Sequence, residues 1–177
     1  MSNETQINQK MAAPQITGSE FAGQIQMAMK KTAESNRPFF IVMIKIENMP
    51  EFRKNRPAHV VNGFLREMFN AIRLAVHPSQ YVGVHQDGLG LVFDAVDPGK
   101  VDTIARRLVS LTQNVIRAGH YNDMTSRWTD ILQQFLWPNN PGLLFARVGW
   151  AIYPRDGASA QAIIARAMAH TAELSNR

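Results

Sequence analysis

Residues 80–93 constrain the fold of this chain more than any other segment. Their sequence, QYVGVHQDGLGLVF, consists of two alternating apolar runs on either side of the polar tip His85-Gln86-Asp87-Gly88. Alternation with a period of two is typical of strands, and a short polar tip with glycine is typical of the turn between them. The segment is therefore predicted to be a β-hairpin.

Length and composition indicate one globular domain. The chain has 177 residues, of which 45% are hydrophobic, which is enough to bury a core. It contains no cysteine, so a disulfide framework or a thiolate metal site is excluded, and a reducing cytoplasm is the expected location. The longest apolar run, Pro38 to Ile44, is too short to span a bilayer. We expect no membrane span.

The positive charge of the chain does not indicate nucleic-acid binding. The formal net charge is +5 and the sequence pI is about 9.9, yet the basic clusters are short and scattered. A surface that follows a nucleic-acid backbone shows a basic stripe with interleaved aromatic residues, which this sequence lacks. We expect a mildly basic solvated surface and no nucleic-acid partner.

The first half of the chain divides into a tail and three elements. Residues 1–18 are mostly polar and are predicted to be a flexible tail, and residues 19–177 are predicted to form the domain. A helix is predicted from Ser19, which can act as its N-cap, to about residue 36. Residues 39–46 are almost wholly apolar, which predicts a strand buried on both faces. A loop is predicted at the two prolines, Pro50 and Pro57.

The second half alternates helices and strands. Amphipathic periodicity predicts a strong helix at residues 58–75 and another after Asp97-Pro98-Gly99. A short helix at residues 128–137, a strand at 143–153 and a closing helix at 158–174 follow. The element order predicts an α/β protein with helices packed against a mixed sheet.

Three segments resemble the GGDEF family of diguanylate cyclases. MIKIENMPEFRKN matches the family's first strand and loop, HQDGL (His85 to Leu89) stands at its signature hairpin, and RVGWAIYPRDG matches its Tyr-Pro…Asp-Gly strand and turn. The resemblance implies a nucleotide-cyclase palm with a mixed sheet flanked by helices and a role in bacterial cyclic di-GMP signalling. An extra helical insertion would precede the last core strand.

The catalytic positions of the resemblance carry other residues. The five signature positions are His85, Gln86, Asp87, Gly88 and Leu89, so only Asp87 remains of the signature acids. The family's chemistry needs two divalent cations held by carboxylates. Its metal-binding aspartate on the first strand falls on Lys45, whose ammonium repels Mg²⁺ and offers no lone pair. We therefore expect no enzyme activity, no metal and no cofactor.

The nucleotide-binding positions are also substituted. The guanine-reading positions fall near Arg53 and Lys54, and the phosphate-contacting lysine falls on Ser175. The R-x-x-D motif that binds cyclic di-GMP in the family falls on Val76 and Ser79. Cyclic di-GMP stays possible as a ligand, but not at that standard site.

The former metal site suggests a structural hypothesis. If Lys45 and Asp87 lie where the metals would sit, the ammonium can replace a metal as the counter-charge of the carboxylate. The alternative is that both side chains point into solvent and contribute little.

An interaction role is predicted for two segments. Residues 120–141 are rich in large apolar side chains, and Trp128, Phe135 and Trp137 are candidate interface anchors. The alternative is that this segment packs on the body and extends the core. The tail, residues 1–18, is the second candidate for binding another signalling protein.

Four functions are compatible with the sequence, and the first is preferred. The first is a catalytically inactive GGDEF-like adaptor or regulator that acts by protein–protein contact. The second is a non-catalytic effector that binds cyclic di-GMP or GTP in a remodelled cleft. The third is an active cyclase, and the fourth is an unrelated task on the same fold.

Overall fold

The computed structural model of the chain describes residues 18–77, 80–94, 97–121 and 144–173. The predicted tail up to residue 17 and the predicted helix at 128–137 lie outside these ranges, as do Ser79 and Ser175. The candidate interface residues Trp128, Phe135 and Trp137 also lie outside them.

Helices and strands alternate along the described ranges. The helices are α1 (Gly18–Ser35), α2 (Met49–Asn55), α3 (Ala58–Ala75), α4 (Val101–Tyr121) and α5 (Ala160–Glu173), and a 3₁₀ turn (Pro98–Lys100) precedes α4. The strands are β1 (Phe39–Glu47), β2 (Tyr81–His85), β3 (Gly88–Asp94) and β4 (Phe145–Tyr153). None of the described helices is long and apolar enough to cross a membrane.

The four strands form one sheet in the order β2-β3-β1-β4. The predicted α/β class with flanking helices is confirmed. Each described pairing is antiparallel, however, so the sheet differs from the mixed sheet that was expected. A mixed sheet needs at least one parallel pair of strands. The described strands contain no such pair, because β3 and β4 are antiparallel to β1 and β2 is antiparallel to β3.

Strand β1 lies in the middle of the molecule and is covered on both faces, as its apolar sequence predicts. Phe40, Val42 and Ile44 pack on one face with residues of α2, α3 and α4. Ile41 and Met43 pack on the other face with residues of α1 and α5. Because neighbouring side chains of a strand point to opposite faces, one continuous apolar run supplies both halves of the core.

The segment between β1 and α3 differs from its prediction. Residues 49–55 form helix α2 rather than a loop. Pro50 lies in the first turn of this helix, where a missing backbone N–H costs nothing. Met49 is fully buried, and Phe52 packs against the core on the same face of the sheet as Phe40. Burial of these two side chains stabilises the helix, although the two prolines predict a loop.

Candidate functional site

The hairpin turn lies at one end of the sheet, beside the end of β1. Strand β2 ends at His85 and β3 begins at Gly88, which leaves Gln86 and Asp87 as the turn. Gln86 has a φ of 50°, a left-handed conformation that glycine adopts more easily. The Asp87 carbonyl accepts a 3.1 Å hydrogen bond from the Ile46 N–H, so the turn is tied to β1. The predicted hairpin is confirmed.

The carboxylate of Asp87 is bound by an arginine. Arg53 Nη1 lies 2.8 Å from Asp87 Oδ1, and the two side chains are 47% and 33% exposed. Arg53 stands in the last turn of α2, which follows β1 after a single residue. The remaining signature acid therefore has a positive partner on helix α2.

A second ion-pair group lies on the opposite face of the sheet. Lys45 Nζ lies 3.1 Å from Glu47 Oε1, and Arg147 Nε lies 3.5 Å from the same oxygen. Lys45 and Arg147 are directly opposite each other in the β1–β4 register. Two cations thus share one carboxylate on this face.

Lys45 and Asp87, predicted to be counter-charges of each other, each have a different ion-pair partner. Lys45 and Asp87 belong to adjacent segments, since Lys45 pairs with Gly88 across β1 and β3. Yet Asp87 is paired with Arg53, and Lys45 is paired with Glu47. Residues 45 and 47 are two apart in a strand and share a face, so the ammonium reaches the Glu47 carboxylate on its own strand.

Gly88, at the fourth signature position, has no room for a side chain. A Cβ atom built on Gly88 would collide with the carbonyl oxygen of Ile44 on β1. An acid at this position would require β1 and β3 to move apart. Leu89, at the fifth signature position, is fully buried in the core beneath α3 and α4.

His85, at the first signature position, packs against helix α1 rather than facing solvent. Its ring lies 5.3 Å from the ring of Phe21, and its Nδ1 is buried without a hydrogen-bond partner. Burial lowers the pKa of His85 below its ordinary value, because a charged imidazole would lose its hydration there.

Tyr81 stacks on the same Phe21 ring. Burial of the Tyr81 hydroxyl raises its pKa to about 12, and the nearby negative charge of Glu20 is the second cause of this shift.

These residues do not fit the divalent cations that the resemblance implies. A magnesium site needs several oxygen ligands that are free to coordinate. Two carboxylates at this end of the sheet are already engaged, since Glu47 is bound by Lys45 and Arg147 and Asp87 is bound by Arg53. Among the residues that the structure describes, no group of three or more His, Cys, Asp or Glu side chains could hold a metal.

The chain is similar to known proteins in its structure. No protein-family model and no curated protein matches the sequence. A sensory box/GGDEF family protein from Caulobacter crescentus superposes with a TM-score of 0.63 at 15% identity, over 90% of this chain and 92% of that one. The chain has a GGDEF-like fold.

Two further GGDEF structures resemble the chain. The GGDEF domain of DgcB from Caulobacter crescentus, solved in complex with c-di-GMP, has a TM-score of 0.63 at 14% identity and covers 90% of this chain and 85% of that one. The diguanylate cyclase SiaD of Pseudomonas aeruginosa, solved with its activator SiaC, has a TM-score of 0.65 at 10% identity. It covers 97% of this chain and 62% of that one. The sequence resemblance is thus confirmed for the GGDEF fold.

Five charged residues form the ion pairs at the turn end of the sheet, and the sequence predicted three of them as site residues. Lys45, Arg53 and Asp87 were candidates from the resemblance. Glu47 and Arg147 were missed, although strand alternation places residue 47 on the same face as residue 45. Arg147 became a neighbour only through the β1–β4 register, which no local pattern specifies.

Proposed function

We propose that this chain is a catalytically inactive GGDEF-like domain that acts as an adaptor or regulator in bacterial cyclic di-GMP signalling. The ion pair between Arg53 and Asp87 supports the proposal most directly. It joins a residue near the positions that would read guanine to the acid that would hold a metal. A side chain engaged in this way is unavailable for either task unless the pair opens.

Two other substitutions support the same proposal. Lys45 places a positive charge at the metal-binding position, where a second positive charge is repelled. Gly88 has no room for the acid that the fourth signature position would need. Metal binding would thus require three local changes. The charge of Lys45 would have to be removed, an acid would have to fit at position 88, and the Arg53–Asp87 pair would have to open.

Protein–protein contact is the proposed mode of action. We assign the contact to the tail, residues 1–18, or to residues 120–141 with Trp128, Phe135 and Trp137, because large aromatic side chains are frequent interface anchors. SiaD provides an example of a GGDEF protein solved with a protein partner, its activator SiaC.

A capture experiment tests the adaptor role. The tagged full chain and a chain lacking residues 1–18 are used to recover partners from bacterial cells, and a triple variant Trp128→Ala, Phe135→Ala, Trp137→Ala tests the second segment. We expect a GGDEF, EAL or other cyclic di-GMP signalling protein to be recovered by the full chain and lost with one of the two changes. Failure to recover such a protein with the full chain would contradict the proposal.

A second candidate function is a non-catalytic effector that binds cyclic di-GMP or GTP in a remodelled cleft. The charge on the α1 and α5 face at the turn end of the sheet favours it, since Lys45 and Arg147 share one carboxylate, Glu47. A surplus of positive charge suits phosphate groups. Calorimetry with cyclic di-GMP and with GTP separates the two functions, because low-micromolar binding at this end of the sheet favours the effector and counts against the adaptor.

A further inference from the structure

Two basic side chains meet on the face of the sheet that α1 and α5 cover. Lys45 and Arg147 are directly opposite each other on β1 and β4. Like charges in this arrangement repel, and the pairing is destabilising unless an anion lies between them. Glu47 Oε1 contacts both cations, at 3.1 and 3.5 Å. Among the described residues, two cations share this single carboxylate.

The guanidinium of Arg147 is only partly satisfied. Its Nε is buried, and the 3.5 Å contact with Glu47 does not have the geometry of a hydrogen bond. An arginine carries five N–H donors in a planar fork that matches the oxygens of a phosphate group. The side chain of Arg147 is 33% exposed and that of Lys45 is 42% exposed, so both cations are open to solvent from this face.

An exposed aromatic ring stands beside these cations. Phe145 is 42% exposed, although it belongs to a strand that is otherwise mostly buried. The Arg147 guanidinium lies 5.7 Å from the centre of the Phe145 ring. A cationic group for a phosphate and an aromatic ring for stacking a base are the two contacts that a nucleotide uses.

We propose that Lys45, Arg147 and Phe145 form a metal-independent site for a nucleotide phosphate. The two cations hold the phosphate oxygens directly, in place of the divalent ions that a cyclase would use. Phe145 stacks on the base. This inference rests on the second proposed function, whose ligand contacts it names.

Titration of the full chain at constant ionic strength and without divalent cations tests the site. The probes are inorganic phosphate, ribose 5-phosphate and guanosine 5′-monophosphate, and binding is followed by calorimetry and by the Nε–H signal of Arg147 in NMR spectra. We expect all three probes to shift this signal and the guanosine nucleotide to bind more tightly than ribose 5-phosphate. Equal affinities for these two probes would overturn the nucleotide assignment.

Charge-matched variants separate a specific site from general surface charge. Arg147→Gln should weaken guanosine monophosphate binding by roughly tenfold or more, the loss expected from a charge-assisted hydrogen-bonding partner. Arg107→Gln, at an exposed position of α4, removes the same charge and should change the affinity by less than about twofold. Equal losses in the two variants would overturn the proposal.

A variant that removes a negative charge and should strengthen binding gives an independent check if Arg147→Gln does not fold. Glu47→Gln removes the shared carboxylate and frees both cations, so guanosine monophosphate should bind several-fold more tightly. Glu67→Gln, at an exposed position of α3, is the matched control and should leave binding unchanged. Weaker or unchanged binding in Glu47→Gln would contradict the site. The capture experiment with Arg147→Gln keeps the two functions apart, because a protein partner should still be recovered.

Discussion

Arg53 Nη1 and Asp87 Oδ1 lie 2.8 Å apart and connect the last turn of α2 to the hairpin turn between β2 and β3. The contact depends on residues 49–55 being helical, since this helix places Arg53 beside the turn. The Ile46–Asp87 backbone hydrogen bond holds the same turn against β1. One side chain and one backbone contact therefore fix the position of the remaining signature acid.

The Arg53–Asp87 pair should make a small, salt-dependent contribution to stability. Because both side chains are partly exposed, we expect a coupling energy of roughly 0.2–1 kcal/mol at low salt. A double-mutant cycle with Arg53→Gln and Asp87→Asn, measured by urea unfolding, gives this energy. In about 1 M salt the coupling should decrease, because screening weakens partly exposed pairs. A coupling of zero at low salt would show that the two charges do not interact in solution.

Gly88→Ala should be strongly destabilising. The added methyl group would collide with the Ile44 carbonyl, so β1 and β3 must shift, at a cost of about 1–3 kcal/mol in the free energy of unfolding. Gly63→Ala is the matched control, because a Cβ at this position of α3 meets no atom within 4 Å. That control should stabilise the chain by roughly 0.5–1 kcal/mol, as alanine favours helices over glycine. Equal effects of the two changes would contradict the close approach of β1 and β3.

The stability of the chain should decrease in mild acid because of His85. Burial lowers the folded-state pKa of His85 below 6.5, the ordinary value, which the unfolded chain keeps. The contribution of neutral His85 to the free energy of unfolding is therefore complete above about pH 6.5. It is lost as the pH falls from there towards the folded-state pKa, because the unfolded state binds the proton more readily. Unfolding by urea at about pH 7.5 and about pH 5.5 measures this loss.

The variant His85→Gln should lose less stability than the original chain over the same pH interval. The exposed His59 provides the control, and His59→Gln should keep the original pH dependence. The same decrease in all three proteins would mean that another group causes it.

Restoring one acid should not restore catalysis. In Lys45→Asp the metal-binding position of the family is acidic again, yet Asp87 remains paired with Arg53 and Gly88 still lacks a carboxylate. We expect no cyclic di-GMP from GTP and Mg²⁺, as measured by chromatography. Product from this single variant would show that Lys45 alone blocks the reaction.

Local sequence patterns predicted most of the fold. Helix α3 was predicted at its observed bounds, residues 58–75, because its apolar residues recur at every turn and Pro57 precedes it. Strand β1 and the hairpin were predicted from apolar runs with clear polar ends. Helix α2 was missed, because prolines at positions 50 and 57 were interpreted as a loop while Pro50 occupies a first helical turn.

The site was predicted less well than the fold, because its contacts are not local. The resemblance supplied Lys45 and Asp87 but paired them with each other. Their real partners depend on helix α2, which brings Arg53 to the turn, and on the β1–β4 register, which brings Arg147 to Glu47. The contact of Arg53 with the turn joins two segments that are distant in the sequence. The β1–β4 register also has no local sequence signal, since pairing of distant strands is set by packing.

We propose that basic side chains have replaced the catalytic metal site, and a cyclase assay checks this proposal. The full chain is incubated with GTP and either Mg²⁺ or Mn²⁺, and cyclic di-GMP is measured against a blank without protein. We expect no product above the blank with either metal. Product that disappears in the variant Asp87→Ala would contradict it.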